Sequence, residues 1–195
     1  MTERGLRRFL LIIDATLLSF GSIVVYSAPA VPSAELYGHS ARLLFNHLMA
    51  ISLGLALGLG MLGIPYPVLR SSAKWCVLIS VVCLVAVNVY GPEIGGAHRW
   101  FRIGRLSIQP SEFAQLSLVL YLADFLARKR PVIREFREGF LPPMIILGLL
   151  AGLTLLQPDL GTAIVMGTVV FVMLMVAKSD GRHLGLVAVM GAVAL

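Results

Sequence analysis

Apolar runs close to the length of a bilayer crossing recur along this chain, at residues 9–28, 45–64, 75–90, 113–127, 140–156 and 160–177, with a seventh starting at 184. A transmembrane helix needs about 20 apolar residues to match a hydrocarbon core about 30 Å thick. Only helices and closed barrels satisfy every backbone polar group in that layer. The charge that a water-facing surface needs is missing: 58% of the 195 residues are hydrophobic, 13% are charged, and the mean hydropathy is +0.89. A soluble domain carries about 25% charged residues. The expected fold is therefore all-α, a polytopic transmembrane helix bundle of six spans plus the start of a seventh, forming a single membrane domain over residues 1–195. The seventh run has twelve residues before the last position, Leu195. They would rise about 18 Å as a helix, short of a crossing, so the expectation is that 1–195 is the N-terminal portion of a longer product.

The first run follows Arg4, Arg7 and Arg8. A signal peptide cleaved near Ala28-Pro-Ala30 competes with a retained helix, and the length of the run and the later spans favour the helix. Cys76 and Cys83 lie seven residues apart in one run. That is about 10 Å along a helix axis, too far for a disulfide, so they read as small buried hydrophobes.

Lysine and arginine set the orientation. With the N-terminus in the cytoplasm, the inner loops hold Arg4, Arg7, Arg8, Arg70, Lys74, Arg128, Lys129, Arg130, Arg134, Arg137, Lys178 and Arg182, twelve of the sixteen basic residues. The outer loops hold only Arg42, Arg99, Arg102 and Arg105. The positive-inside rule then places the N-terminus inside. It also accounts for the net charge of +6 without nucleic acid as a partner.

Three of the four outer arginines crowd into residues 91–110, where orientation gives them no reason to be. Gly91, Gly95, Gly96 and Gly104 allow tight non-helical backbone there. Trp100 and Phe101 suit the membrane interface. Arg99, Arg102 and Arg105, with His98, form a cationic cluster whose guanidinium forks match phosphate oxygens. A membrane-anchored pyrophosphate is a fitting ligand; a solvated hairpin against ordinary anionic headgroups explains the same residues. Ser111, after Pro110, is placed to cap the fourth helix, with Glu112 in its first turn. Glu112 is also a candidate proton acceptor or cation partner, and Gln115 lies a turn further along. Asp124 and Arg128 form an i,i+4 pair, and Asp14 reads as an interhelical hydrogen-bonding group.

A second constellation is LLQPDLGT, residues 155–162. Pro158 ends the fifth helix, Asp159 can cap the sixth, and the loop is so short that Gln157 and Asp159 lie at or just below the outer surface. A cap alone would explain Asp159. No Gly-rich phosphate loop, metal-ligand set or Ser/His/Asp arrangement is evident. No isolated pair of loop carboxylates marks a glycosidase.

GAHRWF (96–101), IQPSEF (108–113) and LLQPDLGT (155–162), in this order, resemble the signatures of the SEDS (FtsW/RodA/SpoVE) family. Asp14 followed by VVYSA (24–28) resembles the family's first helix, and YLADFLARK (121–129) is closer to the division-type FtsW/SpoVE branch than to RodA. The resemblance implies a fold of about ten spans in the bacterial plasma membrane. It implies a peptidoglycan glycosyltransferase that polymerises lipid II into glycan strands at the outer face, in cell division or cell-shape maintenance. Its partners would be a class B penicillin-binding protein and other divisome or elongasome proteins. Arg99, Trp100, Arg102, Gln109, Ser111, Glu112, Gln157 and Asp159 then line the cavity for the lipid-linked pyrophosphate sugar, where fixed cations and donors meet developing charge. No cofactor is identifiable, and a divalent cation stays open. Two departures stand out. Gln115 replaces a common Lys, and the family's presumed catalytic Asp falls in a loop after the seventh helix, beyond residue 195. A lipid II flippase, with Asp14, Glu112 and Asp124 lining a polar path, and a non-catalytic scaffold are the alternatives.

Overall fold

A computed structural model of the chain describes residues 3–27, 40–93, 96–103, 106–185 and 187. The chain divides into two compact units, Met1–Ile64 and Pro65–Leu195.

The first unit is a pair of helices in mutual contact, α1 (Glu3–Ser27) and α2 (Ser40–Leu62). Four hydroxyls on them bond to their own backbone. Thr16, Ser19, Ser22 and Ser52 each donate to the carbonyl four residues back, at 2.7–2.8 Å. That satisfies them without water, as an apolar surrounding demands. Asp14 is exposed within this unit, and its side chain makes no hydrogen bond among the described residues. Residues 28–30, around the weighed cleavage site, lie outside them.

The second unit holds α3 (Tyr66–Tyr90), the strands β1 (Phe101–Ile103) and β2 (Leu106–Ile108), then α4 (Pro110–Arg128), α5 (Leu141–Leu155) and α6 (Leu160–Val176). The third helix starts nine residues before the apolar run at 75, because Pro65 caps it and Pro67 sits in the first turn, where a missing N–H costs nothing. A 3₁₀ turn (Arg130–Val132) and a π turn (Phe136–Phe140) join α4 to α5. The π turn runs straight into α5, and Gly139 lies against the 132–133 backbone, where a Cβ would come within 2.5 Å of the Val132 and Ile133 carbonyl oxygens. Of the seventh run, a short helical segment at 181–185 and residue 187 are described.

The four long helices of this unit bury one face each. Ala73, Val77, Ser80, Leu84 and Val87 of α3 meet Ala114, Ser117, Leu118 and Leu122 of α4, and Leu150, Met166, Val170 and Leu174 continue the core. The hydroxyls of Ser80 and Ser117 meet at 2.9 Å across the α3–α4 contact. Small residues and hydroxyl pairs are what membrane helices use where lipid removes the hydrophobic drive between them. The opposite faces stay apolar: Trp75, Leu78, Val82 and Val89 on α3 and Val172 and Val176 on α6 are exposed. A helix apolar on both faces suits lipid rather than water.

One expectation changes. Only two described stretches, Tyr66–Tyr90 and Phe136–Leu155, are long and apolar enough to cross a membrane by length and composition, against the six spans expected. The stretches Leu11–Val24, His47–Leu62 and Leu160–Val176 are apolar but shorter, and α4 carries Glu112, Asp124 and Arg128. The all-helical class holds, with one short hairpin added between α3 and α4. Strands β1 and β2 pair antiparallel, Phe101 with Ile108, Arg102 with Ser107 and Ile103 with Leu106. The apolar-polar alternation of FRI and LSI is the local cause.

Candidate functional site

The loop 91–110 and the turn 156–159 meet at one end of the second unit. The helix α3 stops at Gly91, and the next stretch is pinned by His98, whose Nδ1 lies 2.7 Å from the Gly91 carbonyl oxygen. A carbonyl only accepts, so Nδ1 carries a proton. Gly96 adopts φ +78°, the left-handed value that favours glycine. The chain then reaches Arg99, whose Nε donates to the Gln157 carbonyl at 2.7 Å and whose Nη2 donates to the Pro158 carbonyl. One guanidinium thus holds two successive carbonyls of the turn between α5 and α6.

A second tie joins the same elements. Gln109, at the N-cap of α4, donates from Nε2 to Asp159 Oδ2 at 3.0 Å. Asp159 caps α6 as expected, its Oδ1 accepting from the Thr162 N–H at 3.2 Å, while the Thr162 hydroxyl donates to Oδ2 at 2.7 Å. Both α4 and α6 therefore present their N-terminal ends here, and N-terminal dipoles favour negative charge. Below this layer Gln157 is 1% exposed, with Nε2 3.5 Å from the Leu84 carbonyl of α3. Asn88 donates to the Leu153 carbonyl at 3.4 Å, tying α3 to α5.

Three buried side-chain polar atoms have no hydrogen-bond partner among the described residues, and two of them lie here, Ser111 Oγ and Gln157 Oε1; the third is His183 Nδ1. The first overturns an expectation. Ser111 is not the cap of α4; the helix begins at Pro110, whose ring presets the helical φ, so Gln109 takes the cap position and Ser111 falls inside the first turn, fully buried. Arg102, on β1 opposite Ser107, is exposed and makes no side-chain hydrogen bond or ion pair among the described residues. Glu112 is exposed and Trp100 half-buried. Arg105, Gly95 and Gly104 lie outside the described residues. Among those described, no three His, Cys, Asp or Glu side chains come together as a metal-ligand set.

The sequence profile of the FtsW/RodA/SpoVE cell cycle proteins matches residues 7–195. The chain belongs to the FtsW/RodA/SpoVE family. It is 34% identical over 180 residues to a probable peptidoglycan glycosyltransferase FtsW from Bacillus subtilis (strain 168), covering 91% of this chain and 45% of that protein. A protein of the same name from Aromatoleum aromaticum is 37% identical over 192 residues, at 93% and 47% coverage. A mutant of the rod shape determining protein RodA from Thermus thermophilus superposes with a TM-score of 0.77 at 32% identity, covering 95% of this chain and 58% of that one. A chain from a peptidoglycan synthase complex that coordinates polymerization and crosslinking gives 0.70 at 33% identity, covering 87% and 47%. The chain spans about half the length of the curated relatives it matches.

Of the eight residues that the family resemblance singles out, four are joined directly: Arg99 with Gln157, and Gln109 with Asp159. Ser111 lies in the first turn of α4, next to Gln109. Trp100, Arg102 and Glu112 lie on the same stretch of chain and make no side-chain hydrogen bond or ion pair among the described residues. Sequence reasoning missed Asn88 and Thr162. Asn88 had a signal, a lone amide in an otherwise apolar helix; Thr162 had only its spacing of three from Asp159.

Proposed function

We propose that this chain supplies part of the substrate cavity of a peptidoglycan glycosyltransferase that joins lipid II units and releases a lipid pyrophosphate. The observation that carries the reading is the double tie of Arg99 to the 157–158 carbonyls and Gln109 to Asp159. It gathers the arginine hairpin and the N-terminal ends of α4 and α6 at one place. Because Arg99 is engaged by carbonyls, Arg102 is the arginine of the hairpin that, among the described residues, is free to meet pyrophosphate, with the helix ends adding positive potential. The names of the relatives from Bacillus subtilis and Aromatoleum aromaticum support the activity. The synthase complex supports a cross-linking partner of the class B penicillin-binding type. The lysine and arginine asymmetry supports an N-terminus in the cytoplasm and this site at the outer face of the bacterial plasma membrane.

The test is polymerisation of lipid II by the full-length protein, purified with its transpeptidase partner. Glycan strands are expected, and Arg102→Gln should slow their formation. Transport of labelled lipid II across liposomes with no polymer formed would replace the enzyme by a transporter.

A further inference from the structure

The end of the second unit remote from this site, about 28 Å away along the 19 residues of α4, holds a cleft of about 490 Å³. Leu126, Ile133, Val172 and Val176 contribute apolar walls, and Arg130 and Lys178 are the two charged residues that line it. We propose that this cleft binds one anionic phospholipid, with its phosphate on Arg130 and Lys178 and an acyl chain along the apolar walls.

Charge complementarity argues for that occupant. No carboxylate lines the cleft, and three acids at this end are already engaged elsewhere. Asp124 is held by Arg70 Nε at 2.7 Å and by Arg128, and Glu138 is held by Lys129 Nζ at 2.8 Å. Asp180 Oδ1 accepts from the Arg182 N–H at 2.9 Å. Glu135 forms no ion pair with Arg130 or Lys178. Both cations are exposed and make no side-chain hydrogen bond or ion pair among the described residues.

The backbone at Lys178 adds an independent reason. Helix α6 ends in a Schellman arrangement, with the Ser179 N–H on the Leu174 carbonyl and the Lys178 N–H on that of Met175, both at 3.1 Å. The left-handed position of this motif, here φ +60°, is normally glycine. A lysine there is conformationally costly. Complementing the α4 and α6 dipoles explains a cation near each helix end. It does not explain why both line one apolar cavity, or why one of them takes a strained backbone. A phosphate with a hydrocarbon tail satisfies both features at once.

The full-length protein in detergent, offered equal phosphatidylglycerol and phosphatidylcholine and analysed by native mass spectrometry, should retain one phosphatidylglycerol preferentially. Each cation near a bilayer surface strengthens association with anionic lipid about five-fold, so Arg130→Gln with Lys178→Asn should lower retention about 25-fold. Asn tolerates the left-handed conformation. Val172→Trp, at an exposed wall position, should displace the lipid without changing charge. Arg134→Gln, at an exposed basic residue outside the cleft, should leave retention unchanged. Equal loss in Arg134→Gln would mean diffuse surface attraction and overturn the proposal. So would unchanged retention in the charge variant or in Val172→Trp, or no preference in the unmodified protein.

Discussion

Arg99 Nε donates to the Gln157 carbonyl at 2.7 Å, across 58 residues of sequence, with the same guanidinium also reaching Pro158. The most obvious phosphate ligand in the sequence is thereby committed to holding a turn. Its planar fork suits two adjacent carbonyls, which a lysine ammonium cannot match in the same geometry. Replacing Arg99 by Lys or Ala should therefore cost stability as well as activity. Charge-assisted hydrogen bonds contribute about 1.5–3 kcal/mol, and one of these is exposed, so a loss of about 2 kcal/mol is expected. Thermal unfolding in detergent measures it, and an unchanged midpoint would show the tie to be incidental.

Arg102 should behave in the opposite way. Among the described residues it makes no polar side-chain contact that Arg102→Gln would break, so the unfolding midpoint should stay put. Loss of one phosphate contact should raise the KM for lipid II about ten-fold, with a smaller change in kcat. Steady-state polymerisation by the full-length protein separates the two quantities. A fall in stability equal to that of the Arg99 variants would place Arg102 in the scaffold instead.

Asp159 combines a cap with a carboxylate that accepts from Gln109 and Thr162. Asn caps nearly as well as Asp, whereas Ala removes the cap at a cost of about 1 kcal/mol. Asp159→Asn should keep the unfolding midpoint within the error of the measurement, while Asp159→Ala lowers it. If Asp159→Asn also keeps polymerisation at the level of the unmodified protein, the charge has no part in the chemistry and only the cap matters.

At the far end of the unit, Asp124 is buried between Arg70 of α3 and Arg128 of α4, whose side chains are 45% and 41% exposed. Water screens the two arginines, so the arrangement contributes less than a buried ion pair would. Asp124→Ala is expected to cost about 1–3 kcal/mol, since it leaves two like charges facing each other. A double-mutant cycle of Arg70→Ala with Asp124→Ala gives the coupling, and a value near zero would mean that Arg128 alone holds the carboxylate.

Gly139 tests the backbone packing of the π turn. A Cβ there would sit 2.5 Å from the carbonyl oxygens of Val132 and Ile133, and neither is the end of a flexible side chain. Gly139→Ala should therefore destabilise the protein by about 1–3 kcal/mol. A variant as stable as the unmodified protein would mean that the 130–135 turn moves freely.

The length of the chain's apolar runs, its scarcity of charge and its ordered loop motifs were enough to place most of the helices, the family and the residues worth watching. Helix cores needed no tertiary information, because backbone hydrogen bonding in an apolar medium permits little else. The N-cap at Asp159 was equally legible, as capping depends on neighbours three residues away. Three things were not. The alternation in FRI and LSI is too short to predict a hairpin, the start of α4 at Pro110 shifted Ser111 from cap to core, and the pairing of Arg70 with Asp124 crosses from one helix to another.

Local chemistry thus determined what each segment is: apolar helices, polar loops and a surplus of arginine where orientation does not ask for it. Which arginine spends its donors on the fold and which keeps them for a ligand was decided only in three dimensions. Arg99 and Arg102 carry the same guanidinium three residues apart, yet one finds two carbonyls waiting in a turn almost sixty residues later and the other, on the hairpin, finds none among the described residues. The physical reason is that hydrogen-bond partners are fixed by proximity, and proximity between distant segments exists only once α3, α4, α5 and α6 have packed.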